Sequence, residues 1–126
     1  MEKGKRVLLV EDNPGVAKVL QFNLRSVGLD VTLHYNGAEA WDALQSGEFD
    51  AVVTDFSMPG MNGRELCERL RQSPEHADTP VVMVTGHAME REVSDLKDQL
   101  GIAAVFAKPY SPKELVKTMQ RLLAIT

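Results

Sequence analysis

The fold is decided by the stretch AVVTDFSMPGMNG, residues 51–63. An apolar run leads to the carboxylate of Asp55, and the chain then breaks into a loop that contains Pro59 and Gly60. A short apolar run bounded by turn residues predicts a strand buried on both faces, with Asp55 at its carboxyl end. Open α/β sheets bind their ligands at that edge. The stretch therefore predicts a buried parallel strand that ends in a functional carboxylate.

The rest of the chain alternates between apolar strand-like runs and helical patterns. Strands are predicted over residues 6–10, 30–35, 50–55, 80–85 and 102–107. Helices are predicted over residues 14–27, 37–46, 63–72, 89–100 and 112–122, the last with an inward stripe of Leu115, Met119 and Leu122. This alternation is typical of βαβ units. It predicts an α/β fold with a doubly wound five-stranded parallel sheet in the order 2-1-3-4-5 and helices on both faces.

Length and composition place further bounds on the protein. A chain of 126 residues with 44% hydrophobic and 25% charged residues predicts one globular domain. The formal net charge of −4 provides no basic face for nucleic acid, and no apolar run is long enough for a signal peptide or a membrane span. We therefore expect a cytoplasmic protein that contacts neither nucleic acid nor membrane. The single cysteine, Cys67, lies in an apolar helical pattern and is expected in the core.

Chemically active side chains follow four of the predicted strands. Glu11 and Asp12 end the first strand, Asp55 the third, Thr85 the fourth and Lys108 the fifth. In the predicted order the first and third strands are neighbours, so their three carboxylates fall into one pocket. Hard oxygen ligands of this kind suit Mg²⁺. Carboxylates, metal, hydroxyl and ammonium together suit phosphoryl transfer, with Asp55 as the nucleophile.

These motifs resemble, in order and position, those of the receiver domains of two-component response regulators, the CheY-like family. The resemblance covers essentially the whole chain and rests on Glu11-Asp12, the 55–63 block, Thr85 and Lys108-Pro109. It implies a flavodoxin-like three-layer fold and a single receiver domain over residues 1–126, with no output domain. It also implies a signalling phosphoacceptor that assists its own phosphorylation and slow dephosphorylation, rather than a turnover enzyme.

The resemblance assigns the metal site residue by residue. Asp12, the Asp55 side chain and the backbone carbonyl of Ser57 would bind Mg²⁺ directly, and Mn²⁺ can substitute for it. Glu11 would act mainly through a metal-bound water. Asp55 would accept the phosphoryl group from a histidine kinase, a histidine phosphotransfer domain or a small phosphodonor. The phosphorylated state would then change contacts with an output domain or a downstream protein.

The resemblance also assigns the residues around the phosphoryl group. Thr85 would hydrogen-bond a phosphoryl oxygen and shift inward, while Lys108 would pair with the phosphoryl group. The peptide bond before Pro109 would be cis. Ser57 and His87 hold positions that flank the approaching water in this family, so we expect them to tune hydrolysis of the acyl phosphate.

The sequence departs from the family pattern on the usual signalling route. Val105 stands where the family commonly has an aromatic residue, and Phe106 should point to the opposite side of the strand. Gly86 follows the threonine and predicts a looser loop. Residues 103 and 104 are both alanine, where receivers that dimerise through helix 4, strand 5 and helix 5 tend to carry an acidic residue. We therefore expect a monomer or a weak dimer.

Three other functions compete with this interpretation. An aspartyl-nucleophile phosphatase would need a second aspartate two residues after Asp55, where this chain has Ser57. A carrier of FMN would need a phosphate cradle in its first loop, which the sequence lacks. A degenerate receiver would serve only as a docking module. The histidines, including His34 and His76, lack metal-ligand spacing with Cys67 and are expected on the surface or in loops.

Overall fold

In the computed structural model, which describes residues 4–86 and 90–125, five strands alternate with five helices. The strands are β1 (Arg6–Val10), β2 (Asp30–His34), β3 (Ala51–Asp55), β4 (Val81–Thr85) and β5 (Ala104–Ala107). The helices are α1 (Pro14–Arg25), α2 (Gly37–Ser46), α3 (Gly63–Gln72), α4 (Glu90–Leu100) and α5 (Pro112–Leu122). All strand pairs are parallel and the order is β2-β1-β3-β4-β5, which confirms the predicted fold class.

Four predicted strand boundaries were wrong by one or two residues. The second strand stops at residue 34 instead of 35, the third begins at 51 instead of 50, the fourth at 81 instead of 80 and the fifth at 104 instead of 102. Ile102 is nevertheless buried, and the N–H of Ala103 donates to the Val81 carbonyl at 2.8 Å. The chain is therefore buried two residues before β5 begins. An apolar sequence pattern indicates burial but does not show where the strand starts.

The sheet separates two apolar cores, one on each face. The α1–α5 core contains residues from those helices and the odd-numbered positions of β1 and β3, including Leu9, Leu20, Val53, Leu115 and Met119. The α2–α4 core contains residues from α2, α3 and α4 and the even-numbered positions, including Leu8, Leu44, Val52, Leu66 and Leu96. Cys67 is buried in the second core, where burial raises the pKa of its thiol to about 12. The predicted core position of this residue is thereby confirmed.

Capping side chains fix where the helices begin. Asn13, Asn36, Asn62 and Ser111 accept hydrogen bonds from first-turn N–H groups of α1, α2, α3 and α5. Each cap of this type contributes about 1 kcal/mol. Because these four helices follow the carboxyl ends of β1, β2, β3 and β5, the caps also fix the loops that leave those ends.

The inward stripe predicted for the last helix was partly wrong. Leu115 and Met119 are buried, but Leu122 is 36% exposed. The buried face is centred on Met119 and includes Val116, so one turn later it passes through Leu123 instead. A spacing of seven residues fits both stripes, and contact with α1 decides between them.

Polar side chains hold the amino edge of the sheet, where the loops enter the strands. The Arg71 guanidinium donates to the carbonyls of Leu100 at 2.6 Å and Thr79 at 2.8 Å, and more weakly to those of residues 76, 77 and 101. His76 lies in the predicted loop but is buried, and its Nε2 is 2.8 Å from the Leu44 carbonyl at the end of α2. His76 therefore lies in a loop, one of the two expected locations, but its side chain is buried rather than exposed.

The described helices are short compared with a helix that crosses a membrane. Among the described helices α1 is the longest, with 12 residues. A span needs roughly 20 apolar residues. No helix in the described ranges qualifies as a candidate.

Candidate functional site

Strand register brings the acidic residues together. Val10 of β1 pairs with Thr54 of β3, so Glu11 and Asp55 leave the sheet at the same level. Both side chains are buried, whereas Asp12 is exposed. One carboxylate oxygen of each of the three residues lies within 4.8 Å of the other two. The structure thus brings the predicted carboxylates into one cluster.

Lys108 places its ammonium between two of these carboxylates. Its Nζ is 3.0 Å from Asp55 Oδ2 and 3.1 Å from Glu11 Oε1. The backbone that carries it is held by a hydrogen bond from the Lys108 N–H to the Thr85 carbonyl at 2.8 Å, and the Lys108–Pro109 peptide bond is cis. Burial by itself lowers the pKa of this ammonium, but hydrogen bonds with Asp55 and Glu11 outweigh that effect and raise it. Lys108 therefore stays charged.

The Glu11 carboxyl has a strongly perturbed pKa. This pKa is raised from 4.5 to about 7, chiefly by burial and in part by the neighbouring carboxyl groups of Asp12 and Asp55. A hydrogen bond from the Asn13 N–H to Glu11 Oε2, at 3.1 Å, acts in the opposite direction. The cluster thus holds more negative charge than the Lys108 ammonium alone balances, so it favours a further cation.

Three further predicted site residues, Thr85, Ser57 and Gly86, lie at the same edge of the sheet. Thr85 ends β4 and is buried, next to Ala107 of β5 in the register. Ser57 is exposed and shares a cleft of about 390 Å³ with Asp12. Gly86 follows Thr85 at the surface, and His87 lies outside the described residues.

Residues 105 and 106 face opposite sides of the sheet. Val105 packs against the α2–α4 core, and Phe106 packs against the α1–α5 core. Phe106 lies beside Tyr110, with the ring centroids 6.4 Å apart. The prediction that Phe106 points away from the side of Val105 is confirmed.

Three residues at this edge were not singled out from the sequence. The buried Thr54 hydroxyl donates to the Asp55 backbone carbonyl at 2.9 Å. Gly63 packs against that same carbonyl. Tyr110 is half-buried, and burial together with the Glu11 charge raises the pKa of its hydroxyl. A polar residue inside an apolar strand was the available signal for Thr54. Gly63 belongs to the 55–63 block, but its contact with the Asp55 carbonyl was not predicted, and Tyr110 had no signal.

The donor set fits a small, hard divalent cation. Glu11, Asp12 and Asp55 offer only carboxylate oxygens, and the cleft beside Asp12 is open to solvent through the exposed Ser57. Mg²⁺ prefers one or two carboxylates and keeps several waters or substrate oxygens. The arrangement can therefore hold such an ion next to a nucleophilic carboxylate and a fixed ammonium, which are the parts that phosphoryl transfer requires.

Residues 7–120 match the family model described as the response regulator receiver domain. The chain belongs to the response regulator receiver domain family. Among solved structures, it is similar to the chemotaxis response regulator CheY4 of Vibrio cholerae, with 28% identity, a TM-score of 0.87 and coverage of 95% of this chain and 99% of that one. It is also similar to the receiver domain of the sensor histidine kinase PA1611 from Pseudomonas aeruginosa, with 30% identity, a TM-score of 0.85 and coverage of 96% and 98%. That structure has a magnesium ion coordinated in its active-site cleft.

Two curated relatives are longer proteins. The chain is 35% identical over 124 residues to the uncharacterized transcriptional regulatory protein YkoG of Bacillus subtilis, covering 98% of this chain and 52% of that protein. It is 38% identical over 120 residues to the sensor histidine kinase GacS of Pseudomonas protegens, covering 93% of this chain and 13% of that kinase. The receiver domain thus spans about half of one relative and a small part of the other.

These findings identify a receiver domain of two-component signalling. Proteins of this family are signalling phosphoacceptors rather than classical turnover enzymes, and they work with histidine kinases or phosphotransfer proteins. Receiver domains bind Mg²⁺ in the acidic pocket that Glu11, Asp12 and Asp55 form here.

Proposed function

We propose that this receiver domain accepts one phosphoryl group on the Asp55 carboxylate, in a Mg²⁺-dependent reaction with a phosphohistidine of a kinase or phosphotransfer domain. One observation carries the proposal. The buried Asp55 carboxylate lies 3.0 Å from the Lys108 ammonium and within 4.8 Å of the oxygens of Glu11 and Asp12. A carboxylate held in this way is aimed for attack on phosphorus, with one cation beside it and the ligands for a second.

The transfer is a displacement at phosphorus. An Asp55 carboxylate oxygen forms a bond to phosphorus while the bond from phosphorus to the donor imidazole nitrogen breaks, and the bonding pair leaves with the imidazole. Lys108 pairs with one phosphoryl oxygen, and the Thr85 hydroxyl donates to another. The product is an acyl phosphate, and slow attack by water returns it to Asp55 and inorganic phosphate. Ser57 and His87 modulate this hydrolysis.

The metal site uses residues of two neighbouring strand ends. Asp12, Asp55 and the Ser57 carbonyl would hold Mg²⁺ or Mn²⁺ directly, and Glu11 would hold it through a water. When bound, the ion neutralises charge on the phosphoryl oxygens. The shared cleft of Asp12 and Ser57 supports this ligand set.

The surface beside Lys108 supports a protein phosphodonor. On α1, Val19 is 55% exposed and Phe22 is 73% exposed. A groove of about 580 Å³ runs between α1 and the start of α5, and its lining includes Val19, Tyr110 and Lys108. A partner that covers these apolar residues would bring its phosphohistidine to the edge where Asp55 lies.

The proposed function also includes the domain organisation, location and oligomeric state of the protein. We propose that residues 1–126 act as one receiver domain in the cytoplasm, as a monomer or weak dimer, and that phosphorylation switches contacts with an output domain or downstream protein. Its composition, with a net charge of −4, supports a role that involves neither nucleic acid nor membrane directly.

Incubation with acetyl phosphate and Mg²⁺, followed by intact-mass spectrometry, tests this function. We expect the wild-type chain to gain the mass of one phosphoryl group. When EDTA is added before acetyl phosphate, the chain should gain no mass. Asp55→Asn should gain nothing, whereas Asp42→Asn, an exposed carboxylate on α2, should behave as wild type. Unchanged labelling of Asp55→Asn would refute the assignment.

Three measurements separate the alternatives: phosphate release, the same labelling assay and flavin absorbance. Release of many phosphates per protein from a phosphomonoester would favour a phosphatase. Absence of labelling with a folded wild-type chain would favour a degenerate docking module. Yellow colour with flavin absorbance after purification would favour an FMN carrier.

A further inference from the structure

The side chain of Thr54 is a hydroxyl in apolar surroundings. It is fully buried in β3, and its register partners are Val10 on one side and Met83 on the other, both also fully buried. Its Oγ1 donates to the backbone carbonyl of Asp55 at 2.9 Å. Because a carbonyl only accepts, the direction of this bond is certain. The Thr54 hydroxyl therefore holds the backbone of Asp55, whose side-chain carboxylate is the proposed phosphoacceptor.

The next peptide units are held by two other elements. The Phe56 N–H donates to the Val84 carbonyl of β4 at 2.7 Å, and the Phe56 carbonyl accepts from the Gly63 N–H at 2.8 Å. Gly63 opens α3 against the Asp55 carbonyl so closely that a Cβ at residue 63 would collide with that oxygen. The backbone from Asp55 to Phe56 is thus held from β3, from β4 and from α3.

This backbone joins two of the proposed metal ligands. The Asp55 carboxylate projects from one end of it, and the Ser57 carbonyl follows at the other, one residue beyond Phe56. The relative position of the two oxygens depends on the peptide planes between them. A ligand pair that is already in place binds an ion more tightly than one that must be ordered on binding.

We propose that Thr54 is a positioning residue, whose hydroxyl holds the Asp55 carbonyl so that the Asp55 carboxylate and the Ser57 carbonyl meet one Mg²⁺. The proposal rests on the metal and phosphoacceptor roles given above and names the part of the strand that sets them up. Thr54 is not among the residues proposed to bind the metal or the phosphoryl group. Gly63 leaves room for the same carbonyl, which a larger residue at position 63 would displace.

The test compares Thr54→Val, Thr54→Ser and a matched control. Valine keeps the branched shape and loses the hydroxyl, and serine restores the hydroxyl. Thr118→Val removes a hydroxyl that also donates to a backbone carbonyl, that of Glu114 at 3.1 Å, but on α5. Thr54→Ala is a second hydroxyl-free variant, in case valine does not fold. Thermal unfolding shows which variants are folded.

Isothermal titration calorimetry with MgCl₂ gives the first readout, and the rate constant of phosphorylation by acetyl phosphate at saturating Mg²⁺ gives the second. We expect the hydroxyl-free variants to bind Mg²⁺ about tenfold more weakly, which is about 1.4 kcal/mol, and to react more slowly. Thr54→Ser and Thr118→Val should stay within about twofold of wild type, well inside that tenfold step. Wild-type Mg²⁺ affinity in folded Thr54→Val, or equal losses in Thr54→Ser and Thr54→Val, would overturn the proposal.

The two readouts separate this proposal from the proposed function. If the wild-type chain binds Mg²⁺ but takes no phosphoryl group, the phosphoacceptor role fails while the Mg²⁺ affinities still decide the role of Thr54. If the wild-type chain is labelled and the Thr54 variants match it in both readouts, only the positioning role fails.

Discussion

The two edges of the sheet bury polar side chains in different ways. At the carboxyl edge, Glu11, Asp55 and Lys108 face one another, so charged groups are the partners of charged groups. At the amino edge, Arg71 and His76 face backbone carbonyls at the ends of loops and helices. The first arrangement leaves groups that can bind an ion or attack phosphorus. The second uses each donor to satisfy backbone that would otherwise be unpaired.

The difference shows where chemistry and stability are located. Burying two carboxylates beside one ammonium is electrostatically unfavourable, and the raised pKa of Glu11 reflects this. A guanidinium that donates to carbonyls of two loops costs less and joins distant segments. We therefore expect changes at the carboxyl edge to alter phosphorylation, and changes at the amino edge to alter the free energy of unfolding.

The largest expected effect is at Lys108. Lys108→Met removes the ammonium that contacts both buried carboxylates, so the rate constant of phosphorylation by acetyl phosphate should fall about 100-fold. Lys117→Met removes an exposed lysine of α5 and should leave the rate unchanged. Intact-mass time courses at saturating Mg²⁺ measure both. A decrease of similar size in the two variants would mean that the Lys108 contacts have no special role.

Arg71→Met should have the largest effect on stability. The variant leaves several carbonyls of the loop before β4 and of the end of α4 without their donor, so the free energy of unfolding should fall by about 3 kcal/mol. Urea unfolding followed by circular dichroism measures it. Arg69→Met serves as the control, because Arg69 is exposed on the same helix and only lies over the Trp41 ring. A phosphorylation rate that falls more than the folded fraction does would contradict the division between the edges.

A smaller loss is expected at His76. The Leu44 carbonyl accepts a hydrogen bond from its ring, and that carbonyl belongs to the last turn of α2, which has no later helical donor. His76→Phe keeps a ring but removes the donor, so the free energy of unfolding should fall by about 1.5 kcal/mol. His34→Phe, at a half-buried position of β2, should cost less. Equal losses from the two variants in urea unfolding would show that the Leu44 bond contributes nothing.

The smallest effects concern one glycine from each edge. Gly15 lies in the first turn of α1 with room for a Cβ, so Gly15→Ala should stabilise the fold by about 0.5 kcal/mol. Gly101 ends α4 with a φ of +63°, so Gly101→Ala should destabilise it by about 1 kcal/mol. Differential scanning calorimetry gives the order of the melting temperatures. The reverse order would contradict both the room for a Cβ at residue 15 and the need for glycine at residue 101.

Much of the carboxyl edge could be predicted from the sequence, and little of the amino edge. Asp55 and Lys108 each follow an apolar strand, and parallel strands end at one edge, so local pattern and topology together bring them close. His76 lies in a polar loop with no period, and only the packing of that loop against α2 shows that it is buried. The same limit applies to Thr54, whose position inside a buried strand was predicted but whose hydrogen bond was not.

The sequence by itself determined the α/β class and the residue types at the strand ends, because hydrophobic periodicity and turn residues act over a few positions at a time. The strand order followed from the alternation of strands and helices together with the rules for βαβ connections. Only the tertiary structure decided that Lys108 lies between Glu11 and Asp55, that Leu123 replaces Leu122 in the core and that Thr54 holds the Asp55 carbonyl. These outcomes depend on distances of a few ångströms between segments far apart in the chain. Such distances are fixed by the packing of all the elements together, which no local pattern contains.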